Sequence, residues 1–237
     1  MPKVGLRYAV RERLWRAFLA HRQLATGGCV MHSLGFADQD SEETLFYYEH
    51  IRARSVSVVL RGRQLAEGDL LFRHWSRCAL VCLAQICEQS TFKMEQLVTS
   101  ANLMVAGQGT ILRLAGIRWG PELHGPDTAA AAAENSALER EAQLCTEFAD
   151  ILEELLGFAE QVKSRVAGEL DKESAVPSPI LANILACLRL PPKSREEITL
   201  KTLKSHQYFA PLGADDLQGR LQSDWKELLR QDTTGQA

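Results

Sequence analysis

Between Ala129 and Leu170 the apolar positions fall into two parallel rows. One row holds Leu138, Ala142, Cys145, Ala149, Leu152, Leu156, Ala159, Val166 and Leu170, broken only by Lys163. The other holds Leu144, Phe148, Ile151, Leu155, Phe158 and Val162. Steps of three and four residues are the period of an α-helix, so the pattern predicts one long helix over residues 129–170. A two-stranded coiled coil needs a single seam. Two adjacent seams make a face wide enough for two or three neighbours, as in a helix bundle. The alanines at its start favour helix, and Asp127 or Thr128 is placed to cap it.

A second organising pattern starts at Asp69. Leu71, Trp75, Cys78, Ala79, Cys82 and Ile86 trace one helical face, widened by Leu83 and Cys87. Polar residues are sparse from Cys78 to Cys87, so this helix is expected to be buried on most sides. After Ser90-Thr91, a further helical run is expected through Met94, Leu97, Val98, Ala101, Met104 and Val105, ending at Gly107. The stretch ILRLAGI then reads as a short buried helix or strand, and Pro121, Gly125 and Pro126 mark a hinge.

The shorter patterns are less decided. Leu6, Val10, Leu14 and Phe18, with Trp15 and Leu19, make an apolar stripe on an Arg-rich first segment ending at Gly27-Gly28. Three roles compete for it: a first helix of the domain, a mitochondrial targeting helix, and a helix lying on a membrane or in a partner's groove. Ser41 can cap a helix carrying Leu45, Tyr48 and Ile51. SVSVVL, residues 55–60, has the β-branched content of a strand. Ser178 and Pro179 should open a helix bearing Ile180, Leu181, Ile184, Leu185 and Leu188. Ser194 to Glu197 matches a capping box for the helix after it. Asp215 or Asp216 should open a last helix with Leu217, Leu221, Trp225, Leu228 and Leu229.

The fold class expected is therefore mainly α: a multi-helix bundle with one long amphipathic helix and room for a small β element near residues 55–60. A basic, mainly helical part, residues 1–125, would pack as one unit with an acidic helical part, residues 126–237.

Charge sharpens that division. Residues 1–118 carry 15 Lys and Arg against 10 Asp and Glu, and residues 119–237 carry 12 against 20. Thirteen of the 15 basic residues in the first part are Arg, whose planar fork suits carboxylates and interfaces. Two tinted halves of one surface explain the split most simply. A sharper explanation has the basic part docking on the acidic long helix or on an acidic partner.

Candidate chemistry adds little. The six cysteines form no close-paired extracellular framework, and no cleavable secretory signal is read at the start, so a reducing compartment is expected. Residues 98–117 hold Arg113, Asn102 and three glycines, which argues against a membrane span. Gly107-Gln108-Gly109 lacks the spacing of a phosphate loop, and no serine sits in a nucleophile elbow. Glu153-Glu154 reads as a solvated face rather than an acid–base pair. Cys29, His32, His74 and Cys78 have the ligand types and pair spacings of a zinc set, but the stretch between the pairs has no zinc-finger signature. Arg52, Arg54, Arg61 and Arg63, with Tyr47 and Tyr48, are the only nucleic-acid candidates, and the acidic whole-chain charge weighs against them. No metal, cofactor or catalytic residue is assigned.

The function expected is a non-catalytic helical adaptor or subunit of a multiprotein assembly, cytoplasmic or nuclear, whose partners are other protein subunits. Contacts are expected through Leu144, Phe148, Ile151 and Leu155, the seam with the larger side chains, and through Arg7 and Arg11. The alternatives are a mitochondrial matrix protein or assembly factor and an enzyme with an unrecognised helical pocket.

Overall fold

A computed structural model describes residues 15, 18–19, 21–25, 28–38, 44–49, 52–61, 63–89, 92–94, 98–115, 119–122, 130–157, 177–191, 194, 198–213 and 217–230. The fold is mainly helical, with a small three-stranded antiparallel sheet and two two-stranded sheets. Residues 21–25 form α1. The strands are β1 (Ser33–Asp38), β2 (Thr44–Tyr48), β3 (Arg54–Ser55), β4 (Phe92–Met94), β5 (Leu103–Ala106), β6 (Ile111–Leu114) and β7 (Trp119–Glu122). The remaining helices are α2 (Val56–Leu60), α3 (Leu70–Gln89), α4 (Ala130–Leu155), α5 (Pro179–Leu188), α6 (Leu200–Lys204) and α7 (Leu217–Arg230).

Helix α3 is the hub. It packs against α4, α6, α7 and β6. Leu71, Phe72, Trp75, Ala79, Leu80, Leu83, Ala84 and Ile86 are all buried, which matches the shortage of polar residues in its sequence. Helix α4 lies beside it. Both of its predicted seams are inside the chain's own core from Leu144 onward: Leu144, Phe148, Ile151 and Leu155 on one, Cys145, Ala149, Leu152 and Leu156 on the other. The start of the first seam is not buried, since Leu138 is 48% exposed.

The long helix is shorter than its pattern predicted. It ends at Leu155, and the amide of Gly157 donates to the Glu154 carbonyl at 3.1 Å. Gly157 has φ +74°, and a Cβ there would lie 2.8 Å from the Gln64 side chain. That glycine supplies both a left-handed backbone and room for a close neighbour, which closes the helix. The seam positions from Phe158 to Leu170 lie outside the described residues.

Several short elements overturn the helical or strand expectation. Residues 56–60 are the helix α2, not a strand. Ser55 caps it by accepting from the Val58 amide at 3.4 Å, and Arg61 closes it in the left-handed region. Val56, Val59 and Leu60 are buried while Ser57 and Val58 are exposed, so burial follows the helical period. The helix expected after Ser41 is instead β2, paired with β1 in the register Phe36↔Phe46.

The run expected as helix from Met94 to Val105 is replaced by strands. Met94 ends β4, which pairs with β7, and Leu103–Ala106 is β5. β5 pairs with β3 on one side and β6 on the other. The β5–β6 connection is tight because Gly107, Gln108 and Gly109 all have positive φ. Segment 29–31 runs beside β6: Leu114 N donates to Cys29 O at 2.8 Å, and Met31 N donates to Leu114 O at 2.9 Å.

The C-terminal helices follow their predicted positions closely. Ser178 caps α5 by accepting from the Leu181 amide at 3.2 Å, and Pro179 occupies its first turn. The capping box of α6 is formed by Thr199 and Thr202, and Glu197 of the expected Ser194 box lies outside the described residues. Lys204 pairs with Glu88 of α3 at 3.5 Å. Arg189 at the end of α5 bonds Asp150 and Glu153 of α4, both at 2.7 Å. Asp150 and Glu153 are thus engaged from the C-terminal half, while Glu154 accepts from the Ser100 amide of the N-terminal half at 3.0 Å. No described helix is long and apolar enough to cross a membrane.

Candidate functional site

Three chain segments meet at Glu67, in the turn that leads into α3. Its carboxylate accepts from the Ser178 amide at 2.7 Å, from the Ser178 hydroxyl at 2.5 Å and from the Tyr208 hydroxyl at 2.8 Å. The cap of α5 and the 3-10 turn Gln207–Phe209 are therefore both anchored on one side chain. Behind Tyr208, its ring meets Phe209 edge-on with centroids 4.9 Å apart, and Phe209 packs on Phe148 at 5.5 Å. Arg77 donates to the Phe209 carbonyl from α3. The wall is tied into the core at every level.

In front of that wall is a cleft of about 970 Å³. It is lined by Pro179, Ile180, Asn183 and Ile184 of α5, by Ser205, His206 and Gln207, and by Glu67 and by Arg73 from the first turn of α3. Ile180 is 52% exposed. It falls off the buried stripe of Leu181, Ile184, Leu185 and Leu188, so its side chain faces the cleft mouth and not the core.

The electrostatics separate committed groups from uncommitted ones. Partial burial pushes the Glu67 carboxyl up, but the Ser178 and Tyr208 hydrogen bonds outweigh it and hold the group below its ordinary value. Burial, then the hydrogen bond and charge of Glu67, push the Tyr208 phenol well above its ordinary value. At neutral pH the pair is a carboxylate accepting a hydrogen bond from a neutral phenol. His206 accepts from the Tyr208 amide through Nδ1 at 3.2 Å. Arg73 has no side-chain hydrogen bond or ion pair among the described residues.

The sequence-predicted contacts lie elsewhere. Leu144, Phe148, Ile151 and Leu155 are each no more than 1% exposed, so the seam expected to meet a partner is filled by the chain itself. Arg7 and Arg11 lie outside the described residues. Of the four metal candidates, Cys78 and His74 approach to 3.7 Å, and Cys78 feels the charge of Cys29. His32 belongs to another group, its amide donating to Glu49 at 3.1 Å. Among the described residues no cluster of three or more His, Cys, Asp or Glu is arranged to hold a metal ion. The cysteines are free thiols; Cys82 donates to the Cys29 carbonyl at 3.1 Å, and burial pushes Cys78 up to about 11. Of the arginines weighed for nucleic acid, Arg63 donates to the Leu228 carbonyl, while Arg52, Arg54 and Arg61 are exposed.

Sequence reasoning missed Glu67, Arg73 and Tyr208, which converge only through the tertiary fold. Ile180 was within reach: helix 179–188 has one large aliphatic residue more than its buried face uses.

Neither comparison with protein-family models nor comparison with curated protein sequences finds a match.

Proposed function

We propose that this chain is a non-catalytic helical adaptor, or a subunit of a multiprotein assembly, whose helices form a bundle that holds the α5 cleft open to a protein partner. The observation that carries this reading is the division of labour in the cleft. Glu67 and Tyr208 are committed to each other and to the α5 cap, and His206 accepts from the Tyr208 amide through Nδ1. Arg73 and Ile180, the groups left over, are an Arg and an exposed aliphatic. Arg is enriched among side chains that dominate protein interfaces, and an apolar neighbour excludes water around it.

The reading shifts the expected contact from the long helix to α5. The long helix then serves the partner indirectly, by supporting Phe209 and the wall behind Tyr208. The test is site-specific photocross-linking in cells, with a photoreactive residue at position 180 and, as a control, at exposed Val58 on α2. Discrete covalent complexes formed from position 180, absent from position 58 and lost in Arg73→Glu, are expected. Cross-links indifferent to Arg73→Glu would remove the cleft as the partner site.

A further inference from the structure

We propose that the occupant of the α5 cleft is a short extended peptide that pairs an acidic side chain with an apolar one. This rests on the adaptor reading and names the chemistry of the partner. Arg73 is exposed and makes no side-chain hydrogen bond or ion pair among the described residues, whereas the Glu67 charge beside it is spread over three donors and turned into the wall. The donors left unmet in the cleft are those of the Arg73 guanidinium, which call for an anionic acceptor.

The number of cations selects the anion. One guanidinium presents a planar fork that matches one carboxylate bidentately. Phosphate recognition draws on clusters of Arg or on rows of backbone amides, and among the described residues the only Lys or Arg lining this cleft is Arg73. The matching group is therefore Asp or Glu.

The shape selects a peptide. The volume, about 970 Å³, is at the upper end of the ~300–1,000 Å³ typical of small-ligand sites. Ile180, with Pro179 and Ile184 beside it, offers a seat for an aliphatic or aromatic side chain on one side. The Asn183 and Gln207 amides and the Ser205 hydroxyl are exposed donors and acceptors of the kind a peptide backbone uses. Because Glu67 and Tyr208 brace the two sides against each other, the groove is formed before the peptide arrives, which lowers the ordering cost of binding.

The test is fluorescence anisotropy on the full chain with labelled heptapeptides. Each carries one Leu or Phe and one Glu at varied separation, with Glu→Gln, Glu→Lys and phosphoserine versions of each. Saturable binding is expected for at least one Glu peptide, weakened tenfold or more by Glu→Gln, by Arg73→Ala and by Ile180→Asp, and unchanged by Arg52→Ala. Melting curves of the variants confirm that the fold is intact. Arg73→Lys should recover part of the affinity, since it restores the charge without the fork. No saturable binding by any Glu peptide would overturn the proposal. So would binding that survives Arg73→Ala, or a preference for phosphoserine. If position 180 captures a partner in cells while these peptides fail, the peptide chemistry is wrong and the cleft stands. If both fail, the cleft falls.

Discussion

The indole N–H of Trp75 donates to the carbonyl oxygen of Gly109 at 2.9 Å, across 34 residues of sequence. Trp75 is fully buried in the hub helix, and Gly109 is the buried end of the β5–β6 turn. The same glycine lies under α7: a Cβ there would be 3.1 Å from the Trp225 Cβ and 3.3 Å from Leu71. Trp225 in turn meets Trp75 edge-on, with ring centroids 6.1 Å apart. Helix, hairpin and last helix are thus locked at one point by a hydrogen bond, an aromatic pair and a missing side chain.

Gly109→Ala should therefore be costly. It adds a methyl group at φ +87°, where side chains are strained, and presses it on two packed residues. The expected loss is about 2–4 kcal/mol, combining left-handed strain with overpacking. Trp75→Phe isolates the hydrogen bond, leaving a buried carbonyl unpaired for about 1–3 kcal/mol plus the cost of lost volume. Urea unfolding of the two variants measures both. A Gly109→Ala protein as stable as the parent would show that α7 does not press on the turn.

The Tyr208–Glu67 contact predicts a phenol that titrates late. Burial and the adjacent carboxylate both favour the neutral form, so Tyr208 should stay protonated as pH passes the ordinary value near 10. The chain has four tyrosines. Ultraviolet difference titration should show a component that ionises after the others and disappears in Tyr208→Phe. A component lost in Tyr208→Phe from the ordinary range near 10 instead would mean that the hydroxyl is not held on Glu67.

Buried His21 and half-buried His74 set the response to acid. Burial lowers the pKa of His21, whose Nε2 lies 2.8 Å from the Met31 carbonyl, and of His74, whose Nε2 lies 2.9 Å from the Thr110 carbonyl. The unfolded chain then takes up these protons first as pH falls below 6.5, and the equilibrium shifts toward unfolding. Their stabilising contribution is complete above 6.5 and is lost as pH falls through the lower folded-state values. Glu147 opposes them. Burial raises its carboxyl, so its protonation as pH falls favours the folded state. The net expectation is a falling melting temperature from pH 7.5 to 5.5. His21→Gln and His74→Gln, which keep a donor and remove the titration, should each flatten the slope. Parallel slopes in parent and double variant would rule out the histidines as its source.

The legible parts of the fold were those where one strong period ran through an element long enough to display it. α3 and α4 each carry a wide apolar face, and Ser178-Pro179 marks the start of α5 by local chemistry alone. The illegible parts were short. Val56, Val59 and Leu60 have helical spacing, but β-branched content suggested a strand, and the Ser55 cap outweighed it. Leu103–Ala106 continued an apolar run that three-and-four spacing could accommodate, while its real partners were strands reached through Gly107 and Gly109. Gly157 sat inside an otherwise unbroken helical pattern, and only the proximity of Gln64 shows why the chain turns there. The cleft was least legible, because Glu67, Ser178 and Tyr208 are brought together across 111 and 141 residues.

The long helix gives the sharpest remaining comparison. Leu152 and Leu155 sit on different seams, and sequence spacing alone suggested that the Leu155 seam met a partner. Their exposures, 0% and 1%, place both in one core. Leu155 is further fixed by its carbonyl, which accepts from the Leu65 amide at 2.9 Å. Leu152→Ala and Leu155→Ala should therefore destabilise alike, each by about 2–5 kcal/mol from lost burial and the cavity left behind. Against a total stability of ~5–15 kcal/mol, either change should lower the melting point by many degrees. Neither should change the oligomeric state of the parent, since the seam offers no exposed stripe for self-association. Differential scanning calorimetry with sedimentation analysis makes the comparison. A Leu155→Ala chain that melts with the parent while Leu152→Ala does not would mean that the second seam separates from the core in solution, and would return the partner surface to the long helix.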